Sequence, residues 1–305
     1  MSSNTDQADI NEILLGYFIL GGKWTGFQLA ADAKKQLNIK KDKVGEKWYA
    51  IQSKRAEVMA VDTLKWAKAN EYKGKVTKVW WTARPGILSK AVGYDVDSRK
   101  NPTDTLLLFS DKQFLGVSAK STQGKGDIGF KNPGMGTVDK ALNIKLKSVV
   151  DKQEALFIKK HRLSESKSKR KQEIRKKPSL VKSANIARDA TLKKVRDAFL
   201  KKLLTLKPKV LRDYLMTDWM DVGDVIRPPY IKVTGHSNKP PFTSTISDPL
   251  KNSKSTALQT KKIKLEKVGN DAVGVTAGGK RIMKMRAKYE SQAMASSMKF
   301  TGDPW

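Results

Sequence analysis

The chain of 305 residues has no cysteine, which removes disulfide frameworks, thiolate metal sites and cysteine nucleophiles together. Histidine is nearly as scarce. With only His161 and His236, a His-rich zinc site has too few ligands and a Ser-His-Asp triad has just two candidate bases. Long apolar runs are missing too: the longest, Ile13 to Leu20, is eight residues and includes Gly16, far below the ~20 that span a bilayer. Met1 to Ile10 is polar and carries Asp6 and Asp9, unlike a signal peptide. An intracellular protein with no membrane partner is the expectation. Acids are short as well. Thirty Asp and Glu face sixty-one Lys and Arg, a net charge of +31.

Such a surplus needs a polyanion to offset self-repulsion, and nucleic acid is the partner that best explains it. Tail-like disorder is not the answer, because 39% of the residues are hydrophobic and seven Trp, seven Tyr and nine Phe are present. The cations are unevenly spread. Between Asp151 and Lys209 twenty Lys and Arg stand against six acids. Leu192, Val195, Phe199, Leu203 and Leu206 form one apolar helical stripe, with Lys193, Lys194, Arg196, Lys201 and Lys202 on the other faces. Lys169, Arg170, Lys171 and Arg175 add to the density, so residues 151–227 are read as a basic helical region that grips the DNA backbone.

Upstream, the pattern predicts a helix over 44–68, where Val44, Trp48, Ile51, Arg55, Val58 or Met59 and Asp62 follow helical spacing. Three strands are predicted next, at 75–83, 104–109 and 114–119, the last two joined by the turn Ser110-Asp111-Lys112. A glycine-rich loop follows, in which Lys125 and Lys131 are candidate phosphate contacts. A helix is predicted from Thr137 to about Lys147. Stretches 164–171 and 251–262 read as exposed loops, and His236 as a loop residue. Residues 228–305 read as a β-rich C-terminal region suited to DNA recognition, with strands at 230–233, 263–268 and 272–276. Gly278-Gly279-Lys280-Arg281 is a basic turn there, and Lys280 and Arg281 are candidate phosphate contacts.

The segment Asn101–Thr122 carries the chemistry. Asp104 opens one strand and Lys120 ends the next, so a hairpin brings the two together at one edge of the sheet. A carboxylate there suits a hard cation such as Mg2+, and an ammonium beside it can orient water or offset phosphate charge. The combination suits metal-assisted phosphodiester hydrolysis. A non-enzymatic nucleic-acid-binding or packaging protein, the alternative reading, has no use for an aspartate beside DNA, and a ribosomal-type RNA-binding protein shares the composition but not the need for this pair.

Pro102-Thr103-Asp104 and Ser118-Ala119-Lys120, within their helix and strand context, resemble the PD-(D/E)xK nuclease superfamily over residues 44–148. The resemblance implies an α/β (α+β) fold with a restriction-endonuclease-like core, a central mixed sheet flanked by helices, over residues 1–150. It implies a Mg2+-dependent DNA endonuclease with site preference, in which Mn2+ substitutes. Asp104 would be the metal ligand and Lys120 the catalytic lysine. A homodimer is expected if both strands are cut. Ser118 stands where the family has its second acid. Glu46, at the start of the predicted helix, is the favoured replacement as catalytic residue and metal ligand, with Glu57 and Asp127 as alternatives.

Overall fold

A computed structural model describes residues 4–97, 100–122, 131–223 and 227–305. It is a mixed α/β protein of two compact units, residues 1–128 with 221–252 and residues 129–220 with 253–305. This differs from the boundaries expected near 150 and 227. The strands at 230–247 belong to the first unit because β3 recruits them as sheet partners after a long excursion of the chain.

The first unit is built on helices α1 (Asn4–Ile19), α2 (Ala30–Val44) and α3 (Glu46–Ala69), strand β1 (Val76–Trp81) and a short helix α4 (Ile87–Val92). Strands β2 (Thr105–Phe109) and β3 (Phe114–Thr122) follow, and later in the chain β4 (Tyr230–His236) and β5 (Thr243–Ser247). The five strands lie in chain order in one mixed sheet. β1, β2 and β3 are antiparallel neighbours, β4 runs parallel to β3, and β5 is antiparallel to β4. The apolar faces of α1 and α3 and the sheet share one core, which includes Ile13, Leu15, Met59, Val79, Leu107, Val117 and Val233. His236 is a buried strand residue whose Nε2 lies 2.9 Å from Thr245 Oγ1, not a loop residue.

Helix α1 contains the apolar run from Ile13 to Ile19, for which the sequence reading predicts no element. Gly16 explains how it lies so close to the sheet. A Cβ at this position would stand 2.8 Å from Val79 Cγ1 and 2.9 Å from Phe27 Cε2. Across the contact, the Thr105 hydroxyl donates to the Glu12 carbonyl at 3.0 Å. The close approach therefore sets the height of Glu12 against the head of β2.

The second unit holds α5 (Met135–Leu142), α6 (Leu146–His161), α7 (Lys167–Lys176), α8 (Pro178–Leu204), α9 (Pro208–Tyr214), a π-helical turn at Leu215–Trp219 and α10 (Ser253–Thr260). Its antiparallel sheet runs β6 (Ile263–Val268), β7 (Ala272–Ala277), β8 (Lys280–Tyr289) and β9 (Met298–Pro304). Trp219, fully buried, meets the rings of Phe199 and Phe300 at the centre of its core. The stretches read as loops at 164–171 and 251–262 largely become α7 and α10. The helix expected to run to Lys147 ends at Leu142, where Asn143 adopts a left-handed conformation, and a new helix starts at Leu146.

Candidate active site

The loop before β2 is locked by its own side chains. Asn101 Nδ2 donates to the Pro228 carbonyl at 2.7 Å, and the Thr103 hydroxyl donates to Asn101 Oδ1. The Asp104 amide then donates to the Val117 carbonyl and its carbonyl accepts from Thr82, both at 2.9 Å. Asp104 is thus held by the backbone between β1 and β3. Its Oδ2 accepts three hydrogen bonds: from the Ser118 hydroxyl at 3.3 Å, the Ala119 amide at 2.9 Å and Lys120 Nζ at 3.1 Å. The hairpin brings Asp104 and Lys120 together, as the sequence predicts. Asp104 Oδ1 takes no hydrogen bond from a described residue.

The acid beside this pair is Glu12 of α1. It is buried, and its Oε2 accepts from Trp81 Nε1 at 2.9 Å. Its Oε1 has no hydrogen-bond partner among the described residues. Burial first, and the charge of Asp104 second, push the Glu12 carboxyl up to about 8 from its ordinary 4.5. Burial also raises Asp104, opposed by Lys120 and by the Ala119 amide. Burial pulls Lys120 down, but the charges of Asp104 and Asp221 outweigh it and hold the ammonium above its ordinary value. Lys120 therefore stays charged at neutral pH.

A cleft of about 400 Å3 opens at this point, lined by Glu12, Lys120, Gln7, Asn11, Trp48 and Arg55 among others. Arg55 comes from α3 and is buried. Its Nε donates to the Ser237 carbonyl at 2.7 Å and its Nη2 to the Thr122 carbonyl at 2.9 Å. These bonds tie together the ends of the parallel strands β3 and β4. Gly235 permits the contact, since a Cβ there would lie 3.0 Å from Arg55 Cβ and 2.8 Å from Met59 Sδ.

Glu46 does not join the site. It is largely exposed at the start of α3 and pairs with Lys41 at 2.9 Å. Glu57 is likewise exposed and pairs with Lys54 on its own helix. Both stand on the helix that the sequence makes the first predicted one, whereas it is the third helix of the chain. Asp127 and Lys125 lie outside the described residues. The signal for Glu12 was a lone carboxylate interrupting an apolar stripe at Ile10, Ile13, Leu14 and Leu15. A buried acid in that setting is costly unless it has a partner or a task.

The basic residues divide into two kinds. Arg170 is almost fully buried, donating to the carbonyls of Met294, Ser164 and Glu165 and pairing with Glu154. Arg196 is also buried, bonded to Asp197 and the Gly269 carbonyl. These two arginines build the second unit's interior and are corrected from phosphate contacts to structural residues. Lys131 donates to the Thr217 carbonyl at 2.9 Å, and Lys194 to Gln153 at 2.8 Å. Lys171 reaches Ser291 and Arg175 reaches Gln292. Lys280 bonds Ser253, and Arg281 lies over the Trp305 ring. Lys169, Lys193 and Lys201 are exposed, and with Lys202 form no ion pair with a described residue.

No family model, curated protein or solved structure matches the chain. Nor do three or more His, Asp or Glu residues gather as a metal-ligating group among the described residues. The site offers two carboxylates. Mg2+ is commonly held by one or two carboxylates, with waters and substrate oxygens completing its shell. Two partly dehydrated acids, each with one oxygen tied and the other without a donor among the described residues, fit such an ion: its charge would relieve the cost that lifts both pKa values.

Proposed function

We propose that the protein is a divalent-cation-dependent endonuclease that hydrolyses phosphodiester bonds in DNA. The observation that carries this reading is the convergence of Asp104, in the loop before β2, with Lys120 of β3 and Glu12 of α1, the last two lining one cleft, in a strongly cationic chain. The order of helix, three antiparallel strands and a mixed sheet supports a nuclease core like that of the PD-(D/E)xK superfamily, with Glu12 in place of the acid that Ser118 lacks.

Asp104 Oδ1 and Glu12 Oε1 would hold the cation. When bound, Mg2+ polarises a phosphoryl oxygen and makes water more acidic. The chain's own residues do the rest. Ser118, the Ala119 amide and Lys120 fix the rotation of the Asp104 carboxylate by engaging Oδ2. Lys120, kept charged by Asp104 and Asp221, offsets the negative charge that grows on the phosphate during attack. Trp81 fixes Glu12 through Oε2. Exposed lysines of the second unit supply sequence-independent attraction to the backbone. Supercoiled plasmid incubated with purified protein should be nicked or cut in Mg2+ and left intact in EDTA. Intact plasmid across Mg2+ and Mn2+, together with intact linear duplex and single strands, would refute the reading.

A further inference from the structure

The cleft beside Lys120 has three features that phosphodiester hydrolysis does not itself require. Trp48 stands half-buried in its wall. Asn11 lines it, with its amide nitrogen donating to the Gln52 carbonyl at 3.3 Å. Gln52 in turn donates to Gln7 Oε1 at 3.2 Å. Two buried acceptors of these amides, Asn11 Oδ1 and Gln52 Oε1, have no hydrogen-bond partner among the described residues. Arg55 completes the wall with a fixed positive charge.

We propose that this cleft receives an unpaired nucleotide, and that the substrate is a single-stranded stretch of DNA. The proposal rests on the nuclease reading of the adjacent carboxylates. An indole offers a stacking face to any base. Arg55 and Lys120 then flank the strand's phosphates. In a duplex both faces of a base are occupied by its neighbours in the stack, so a paired nucleotide could not use the indole without being flipped out. At about 400 Å3 the cleft falls in the range of about 300–1,000 Å3 typical of pockets that enclose a small organic group.

The test measures binding in EDTA, where no cleavage intervenes. Salt is set high enough to suppress binding that rests on phosphates alone. A labelled oligodeoxynucleotide and its duplex are titrated with the wild type, Trp48→Leu and Trp48→Phe, each checked for native circular dichroism. Leucine keeps an apolar filler against the core without a stacking face, and phenylalanine keeps the face. Trp48→Leu should weaken single-strand binding by about 5- to 100-fold, Trp48→Phe by less than about threefold, with duplex binding unchanged. Equal losses on both nucleic acids, or none on the single strand, would overturn the proposal. Cleavage of the same two substrates in Mg2+ separates the two readings. Duplex cut by a protein indifferent to Trp48→Leu sinks the cleft proposal and keeps the nuclease. Selective loss of single-strand binding in a wild type that cuts neither substrate keeps the cleft and sinks the nuclease.

Discussion

The charge of Asp104, at the head of β2, is felt at Glu12 on α1 and adds to burial in raising the Glu12 carboxyl to about 8. The two acids come from opposite ends of the first unit's continuous segment, and Gly16 lets their elements meet. In a metal-free protein this arrangement costs stability, because a carboxyl ordinarily ionised above 4.5 is held protonated or pays for its charge.

The sign of the resulting pH dependence follows from proton counting. Between about 4.5 and 8 the folded chain keeps a proton on Glu12 that the unfolded chain releases. Stability from this group is therefore present below 4.5 and lost as pH rises toward 8, by an amount on the order of several kcal/mol. Glu12→Gln removes the titration. In denaturant titrations with EDTA the variant should match the wild type near pH 5 and exceed it at pH 8. A difference that is the same at both values would show that Glu12 is not perturbed as described.

In the proposed reaction Lys120 acts on the phosphate without holding the cation. Lys120→Met should lower the cleavage rate by about 10²–10³-fold, the loss typical of removing one preorganised group that stabilises transition-state charge. Duplex affinity should change little, and added Mn2+ should not restore the rate. Single-turnover cleavage beside filter binding reads both. Undiminished cleavage would remove Lys120 from the reaction.

The arginines and lysines of the second unit should separate cleanly. Arg170→Ala leaves the Glu154 carboxylate and three carbonyls without their buried donor and should destabilise the protein by about 3–5 kcal/mol. Lys193→Glu with Lys201→Glu should leave stability nearly unchanged and weaken DNA binding of every sequence alike. Denaturation curves and binding isotherms on two unrelated sequences check both. A loss confined to one sequence would make these lysines base readers.

DNA affinity as a whole should fall steeply with salt. If about 6–10 lysines and arginines neutralise phosphates, binding weakens roughly 10³–10⁵-fold between 50 and 200 mM. A nearly flat response, measured by anisotropy on a duplex, would mean that the charge of +31 serves something other than a polyanion.

Local patterns were legible where one element carries its own signal. The short apolar runs at 104–109 and 114–119 mark β2 and β3, and the turn between them places Asp104 beside Lys120. The stripe from Leu192 to Leu203 marked the buried face of α8. What could not be read was long-range pairing. Nothing in residues 114–122 announces that their parallel partner lies at 230–236, because sheet partners are chosen by tertiary packing and not by neighbours in sequence. Glu12 was missed for the same reason, since its role depends on how closely α1 lies on the sheet. Arg170 and Arg196 look in sequence like any other cation in a basic run, and only burial distinguishes them.

The most direct test compares Glu12→Gln with Glu46→Gln for Mg2+-dependent plasmid cleavage, using preparations free of host nuclease and an Asp104→Asn control. Glu46 pairs with Lys41 on the surface, so its variant should cut at the wild-type rate. Glu12→Gln should lose cleavage as completely as Asp104→Asn, while its DNA affinity stays equal or improves as a carboxylate is removed. A Glu12→Gln protein that cuts at the wild-type rate would contradict the assignment of the second carboxylate, and with it the account of the site.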